Sequence, residues 1–131
     1  MTTAEALKKL VLESGGNFHD IDHFLKVHAY AKIIGTCEGL DSETLHTLEL
    51  AAIVHDIACP LCREKYGNTN GKYQETEGIP LTYAFFEGTD VTGEQLERIV
   101  WLVSHHHTLR PIEGLDHQIL IEADYLVNAE E

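Results

Sequence analysis

A His-Asp dipeptide at His55 and Asp56 lies in the most apolar segment of the chain, LELAAIVHDIA. Helical spacing puts Ala51 and Ala52 one turn before His55, and Ala52 and Ile53 one turn before Asp56, so both polar side chains emerge from faces that should be buried. An unpaired buried carboxylate is costly, and Asp56 therefore needs a partner. That partner is either a metal ion that both residues help to hold or another polar group inside the core.

Two more polar residues lie on apolar helical stripes elsewhere in the chain. His23 is one turn from Val27, and Asp124 has Leu120 one turn before it and Val127 nearly one turn after it. Imidazole nitrogen combined with carboxylate oxygen suits Mn, Fe, Co, Ni or Zn, whereas Ca prefers oxygen ligands alone. A mixed set with open positions favours catalysis, in which a bound water is acidified and can attack phosphorus. A buried Asp hydrogen-bonded to a His or a backbone group is the alternative for Asp124.

Three consecutive histidines, His105, His106 and His107, follow the apolar segment IVWLV. Successive residues of a helix point about 100° apart, so all three cannot face one direction. We expect one or two of them to turn towards the same site and another to lie in solvent or near the helix end, where a cationic imidazole is favoured. An accidental surface run is the alternative interpretation.

Three segments together resemble the HD superfamily of metal-dependent phosphohydrolases. HFLKV at His23–Val27 is similar to the first block of that family, LAAIVHDIA at Leu50–Ala58 to the central block, and EADYL at Glu122–Leu126 to the last block. The resemblance covers roughly residues 22–128. It implies four metal ligands, which are His23, His55, Asp56 and Asp124, with Asp56 also at the catalytic centre.

The resemblance also bears on the number of metal ions. Two-metal members of the family add two histidines, of which the later one corresponds here to His105 or His106. Gln74 stands where the earlier histidine is expected, and glutamine is a poor ligand for transition metals. We therefore expect one divalent transition metal ion per chain, and Mn, Fe, Co, Ni and Zn all remain open.

Charged residues between the second and third blocks are candidates for substrate contacts. Arg63, Lys65 and Lys72 can hold phosphate oxygens, as cationic clamps on a phosphoryl group do. Lys26, beside the first block, can contact phosphate or extend along the surface. Two further residues of this region, Glu75 and Glu77, are candidate general acids or bases. A solvated polar loop is the alternative for the whole region.

The apolar pattern is helical nearly throughout, which predicts an all-α bundle of about five to six helices in a single domain, residues 1–131. A loop is predicted from Cys59 to Glu77, because this stretch contains Gly and Asn at turn positions and no clear apolar period. The predicted helices are Thr3–Ser14, Asp20–Glu38, Ser42–Ala58, Pro80–Glu87, a fifth from the Thr92 cap to His106, and a sixth that starts near Asp116.

The net charge of −13 argues against binding to long nucleic acids through their phosphates. The chain contains no run of 18 apolar residues, so the sequence predicts no membrane-spanning helix. The N-terminal residues also lack the pattern of a signal peptide, and we therefore expect a cytoplasmic protein. Cys37, Cys59 and Cys62 are too few for a disulfide framework. Cys59 and Cys62 are either local structural residues or a pair involved in metal binding or redox chemistry.

These observations favour a metal-dependent phosphohydrolase that acts on a nucleotide or another small phosphate ester. A non-catalytic small-molecule sensor of the same fold, which has kept the metal site, is the main alternative. An HD-type oxygenase needs two irons and a richer ligand set. A structural zinc protein built on Cys59 and Cys62 is the remaining alternative.

Overall fold

The computed structural model describes residues 1–131 and contains helices as its only regular secondary structure, which confirms the all-α class. It has seven helices rather than five or six, because the predicted loop contains helical residues. The helices are α1 (Thr3–Glu13), α2 (Phe18–Cys37), α3 (Ser42–Val54), α4 (Cys59–Tyr66), α5 (Gly71–Phe86), α6 (Gly93–His105) and α7 (Leu115–Glu130).

Side-chain caps fix the starts of most helices. Thr2 and Glu5 form a reciprocal capping box at the start of α1. Asn17 caps α2, Asp41 caps α3, and Thr92 caps α6, each by accepting a backbone N–H of the first turn. Each such cap satisfies a donor that the helix itself leaves unpaired, which typically contributes about 1 kcal/mol.

Helix α3 is the central element of the core. Its residues Thr47–Val54 are all buried, and it packs against α1, α2, α6 and α7. A helix that is buried on every side is stable only when other helices surround it. Each fully buried Leu, Ile or Val contributes about 1.5–3 kcal/mol, so this helix fixes the positions of the helices around it.

The His-Asp dipeptide lies in a turn rather than inside a helix. Helix α3 ends at Val54 instead of continuing to Ala58, and residues 55–58 form a turn before α4 begins at Cys59. Pro60 lies in the first turn of α4, where its missing N–H removes no helical hydrogen bond. The proline therefore starts a new helix directly after the turn, and this turn presents His55 and Asp56.

The prediction of a loop from Cys59 to Glu77 was wrong. Helix α4 ends at Tyr66 and is followed by Gly67, whose φ of 73° is the left-handed conformation common after helix ends. Asn70 then caps α5, whose interior contains Pro80. The missing N–H of proline predicts a helix start at Pro80, but α5 contains this residue in its interior. Packing of α5 on α6 and α4 outweighs that local cost.

The segment Ser42–Tyr66 is long and apolar enough to cross a membrane by length and composition alone. However, 67% of its most apolar window is buried inside the fold. This burial is expected of the core segment of a soluble protein, in which other helices cover the apolar surface.

Candidate metal centre

Four side chains from three separate elements converge on one point. His23 Nε2 on α2 lies 3.1 Å from His55 Nε2, 3.1 Å from Asp56 Oδ2 and 3.1 Å from Asp124 Oδ1 on α7. His55 Nε2 lies 3.4 Å from Asp56 Oδ2 and 3.3 Å from Asp124 Oδ1. All four ligand atoms lie within 4.8 Å of one another, so the group could hold a metal ion. The fold therefore brings together the four residues for which the sequence predicted this role.

The hydrogen atoms of both imidazoles point away from this cluster. His55 Nδ1 donates to the backbone carbonyl of Ala52 at 2.7 Å, and His23 Nδ1 faces the carboxylate of Glu131 at 2.9 Å. Since a carbonyl and a carboxylate only accept, both Nδ1 atoms carry hydrogen, and in the neutral form of each ring Nε2 is left with a lone pair. Two lone pairs 3.1 Å apart, with two carboxylates beside them, repel one another unless a cation lies between them.

The electrostatics of the cluster favour positive charge. Burial lowers the pKa of His23, but hydrogen bonds to Asp124 and Asp56 outweigh it and raise the pKa to about 10. The pKa of His55 is likewise raised, because its two carboxylate neighbours outweigh its burial. The pKa values of Asp56 and Asp124 are lowered, since the adjacent histidines outweigh burial. In the absence of metal, protons on the histidines balance the charge of the carboxylates, and a divalent cation would compete with these protons.

Asp56 also faces a second group of possible ligands through its other oxygen. Its Oδ1 lies 3.4 Å from His106 Nε2, and Asp56, His106 and His107 form a second group that could hold a metal ion. His106 Nδ1 donates to the carbonyl of Val103 at 2.6 Å, which leaves a lone pair on Nε2. That Nε2 is buried and has no hydrogen-bond partner, which is the pattern of a ligand atom. The Asp56 carboxylate thus lies between two groups of ligands.

His107 is a site residue that the sequence did not single out. Its Nε2 lies 3.0 Å from Gln74 Oε1, while Gln74 Nε2 donates to the carbonyl of Thr69 at 2.6 Å. This second bond fixes which way the amide points, so Gln74 accepts a hydrogen from His107. The position where a histidine was expected therefore holds a glutamine that orients another histidine. The three-histidine run was the only signal for His107.

His105 is not brought to the cluster. Its ring stacks on Trp101 with 4.1 Å between ring centroids, and its Nδ1 donates to the Trp101 carbonyl at 2.8 Å. It is the last residue of α6, whereas His106 and His107 follow the helix and turn back towards Asp56. The exact end of α6 decides which histidine faces the site, and sequence patterns do not locate helix ends to one residue.

The two glutamates predicted as acids or bases make other contacts. Glu75 accepts from the backbone N–H of His107 at 3.0 Å and from the Thr108 hydroxyl, so it holds the loop that carries His107. Glu77 accepts from Lys65 and from the hydroxyl of Tyr66, each at 2.8 Å. Neither glutamate lines the pocket at the metal cluster. The structure thus places Glu75 in a supporting position and Glu77 in a surface ion pair.

Of the predicted substrate-binding cations, only Arg63 lines the pocket at the cluster. Its guanidinium forms an ion pair with Asp20, which lines the same pocket. Lys65 is occupied by Glu77, and Lys26 lies 3.9 Å from Glu130 on the surface. Lys72 is exposed in the first turn of α5. None of the three lysines lines the pocket that contains Asp56.

Two pockets meet at the cluster and share Asp20, His23 and Asp56. One has a volume of about 290 Å³ and is mainly polar, with Arg63 and His107 among its lining residues. The other has a volume of about 340 Å³ and is mainly apolar. The candidate metal centre therefore borders a polar pocket on one side and an apolar cavity on the other.

The cysteines do not provide thiolate ligands. All three are free, and Cys59 lines the polar pocket. Burial, followed by the charge of Asp56, raises the pKa of the Cys59 thiol. Burial also raises the pKa of Cys62. Neither candidate group of metal ligands contains a cysteine, so the structure does not favour the zinc interpretation.

A model of the HD domain family matches residues 20–129 of the chain. The match spans His23, the His-Asp dipeptide and Asp124. A search of curated proteins and a search of solved structures returned no match.

Proposed function

Because this chain belongs to the HD domain family, whose members are generally metal-dependent phosphohydrolases, we propose that it hydrolyses a small phosphate ester. One observation carries the proposal. Two imidazoles with their hydrogens turned outward and two buried carboxylates share one point, in the order along the chain that the family shows. A site of that composition stabilises a cation, and the adjacent polar pocket leaves room for a substrate.

His23, His55, Asp56 and Asp124 would hold the ion, which we propose is one divalent Mn, Fe, Co, Ni or Zn per chain. When bound, such an ion supplies Lewis acidity, which makes water a better nucleophile and neutralises charge on phosphoryl oxygens. His106 and His107 extend the site on the other side of Asp56. We assign one tightly held ion because Gln74 fills the position of one expected histidine and engages the His107 ring.

The residues of the polar pocket bind and orient the substrate. Arg63 is the cation that lines it, and its planar guanidinium can hold two phosphate oxygens while Asp20 fixes its position. Hydrolysis forms a bond from water oxygen to phosphorus and breaks the bond from phosphorus to the ester oxygen. The water loses a proton and the departing alcohol gains one. His107, with hydrogen on Nε2 towards Gln74, is available to accept a proton at Nδ1.

The first test is the metal content of the protein purified without a His tag, measured by mass spectrometry. Asp56→Ala should lose the metal, because Asp56 contributes to both groups of ligands. Asp22→Ala is the matched control, since Asp22 is an exposed aspartate on the same helix as His23. We expect about one transition metal per chain in the wild type and the control. No metal in the wild type, even after reloading with Mn or Fe, would overturn the proposal.

The second test is turnover of a panel of phosphate monoesters and diesters by the metal-loaded protein. Hydrolysis, measured as released phosphate for monoesters and as released alcohol for diesters, should depend on the metal and disappear in Asp56→Ala. Bound metal and bound ester without turnover would instead identify a non-catalytic binding module. Gln74 favours this second candidate, because it stands where two-metal members have a histidine and contacts His107.

We also propose that the partners are small molecules rather than long nucleic acids or membranes, and that the protein acts in the cytoplasm. The net charge of −13 supports the exclusion of long polyanions. A local cation at the cluster is compatible with a small anionic substrate despite that charge.

A further inference from the structure

The apolar cavity beside the candidate metal centre has no role in the chemistry described so far. Its volume is about 340 Å³, at the lower end of the range for sites that bind small molecules. Its apolar wall comes from α1, α2, the end of α3 with the turn after it, α4 and α5. The main apolar lining residues are Leu10, Phe24, Ile57, Leu61, Leu81 and Phe85.

The charges around this cavity exclude an anionic occupant. The ionisable side chains that line it are Glu13, Asp20, His23 and Asp56, and no Lys or Arg is among its lining residues. Lys9 donates to the backbone carbonyl of Phe85 and lies over its ring, but it does not line the cavity. A phosphate or carboxylate in this cavity would be desolvated next to acidic groups, which is unfavourable. The occupant is therefore apolar and carries no negative charge.

The position of the cavity relates it to the ester bond. His23 and Asp56 line both this cavity and the polar pocket that contains Arg63. A phosphoryl group held at the cluster and by Arg63 can place its ester oxygen near the residues that line both pockets. The group attached to that oxygen can then extend away from the polar pocket and into the apolar cavity.

We propose that the apolar cavity binds the alcohol portion of the substrate, and that the preferred substrates are phosphate monoesters of apolar, uncharged alcohols. This inference rests on the proposed phosphohydrolase function. It predicts that affinity rises with the apolar size of the alcohol group until the cavity is full. Each buried methylene contributes about fourfold in affinity (about 0.8 kcal/mol). Going from an ethyl to a hexyl group adds four methylenes, so partial burial should still give a preference of at least about 30-fold.

The test measures binding of ethylphosphonate and hexylphosphonate to the metal-loaded protein by isothermal titration calorimetry. Phosphonates are not hydrolysed, so the readout does not depend on turnover. Ala84→Trp places a large ring at the exposed rim of the cavity, where Ala84 lines it. Ala29→Trp is the matched control, because Ala29 is an exposed helical alanine that lines neither pocket.

The wild type and Ala29→Trp should bind hexylphosphonate at least about 30-fold more tightly than ethylphosphonate. Ala84→Trp should lose most of this preference and keep the affinity for ethylphosphonate. Equal binding of both phosphonates by the wild type would overturn this inference and leave the phosphohydrolase proposal standing. A preference that persists in Ala84→Trp would also overturn it, because the alkyl chain would then bind elsewhere. If neither phosphonate binds, the proposed function fails and this inference fails with it.

Discussion

Replacing Asp124 by Asn should abolish metal binding while preserving the shape of the side chain. Asp124 is 6% exposed, and its Oδ1 lies 3.1 Å from His23 Nε2 and 3.3 Å from His55 Nε2. Asparagine retains an oxygen at this position but not the negative charge. Removing one partner from a buried charged cluster typically costs about 3–5 kcal/mol. This corresponds to a loss of roughly 100- to 4,000-fold in metal affinity, since about 1.4 kcal/mol is tenfold.

Thermal unfolding with and without metal provides the assay for Asp124→Asn. At a free metal concentration of about 100 times the wild-type Kd, binding stabilises the folded wild type by about 2.7 kcal/mol. For a chain of this length that is a rise in Tm of about 8 °C, at about 3 °C per kcal/mol. The variant at the same concentration should gain less than about 0.4 kcal/mol, or about 1 °C.

Asp22→Asn is the matched control for Asp124→Asn, because it removes the same charge from an exposed position. It should retain the full metal-dependent rise in Tm. If Asp124→Asn shows the same rise as the wild type, Asp124 is not a ligand and the site has been assigned incorrectly. If Asp124→Asn is unfolded without metal, calorimetric titration of metal into the wild type and Asp22→Asn still reports whether a site exists. Asp124→Glu then takes the place of Asp124→Asn in the comparison.

Three further predictions test neighbouring features. His106→Ala should weaken metal binding measured by calorimetry, whereas His105→Ala should leave it unchanged, and an equal effect of both would contradict the assignment of His106. Iodoacetamide at pH 8 should alkylate exposed Cys37 much faster than Cys59, because burial raises the pKa of the Cys59 thiol. Peptide mass spectrometry gives the two rates, and equal rates would contradict the buried position of Cys59. Arg63→Ala should weaken binding of inorganic phosphate about tenfold without changing metal content, and unchanged phosphate affinity would remove Arg63 from the substrate pocket.

The amino-acid sequence by itself determined the helical class, and its resemblance to the HD superfamily predicted the four residues that meet at the candidate metal centre. Both depend on local patterns. Asp124 and His23 stand on apolar stripes with helical spacing, and the His-Asp dipeptide follows a segment that can only be buried. The cap at Thr92 was likewise predicted, because a side-chain oxygen followed by a helical pattern satisfies a nearby N–H whatever surrounds it.

The region from Cys59 to Glu77 shows where local patterns were insufficient. Its polar composition indicated a loop, and Pro80 indicated a helix start, but packing on α6 and α4 holds α5 helical through the proline. The pairings of Lys65 with Glu77, and of Glu75 with the His107 loop, then follow from how two neighbouring helices face each other. The spacing of residues in the sequence does not specify how these helices are rotated relative to each other.

Tertiary structure alone decided which histidines join Asp56 and what surrounds it. The sequence does not distinguish the roles of His105, His106 and His107. A helix α6 that was one residue longer or shorter would change which of them faces Asp56. The apolar cavity is also a product of tertiary structure, because its walls come from segments far apart in the chain. Ligand type is a property of single residues, whereas the direction of a side chain and the shape of a cavity depend on how whole helices pack.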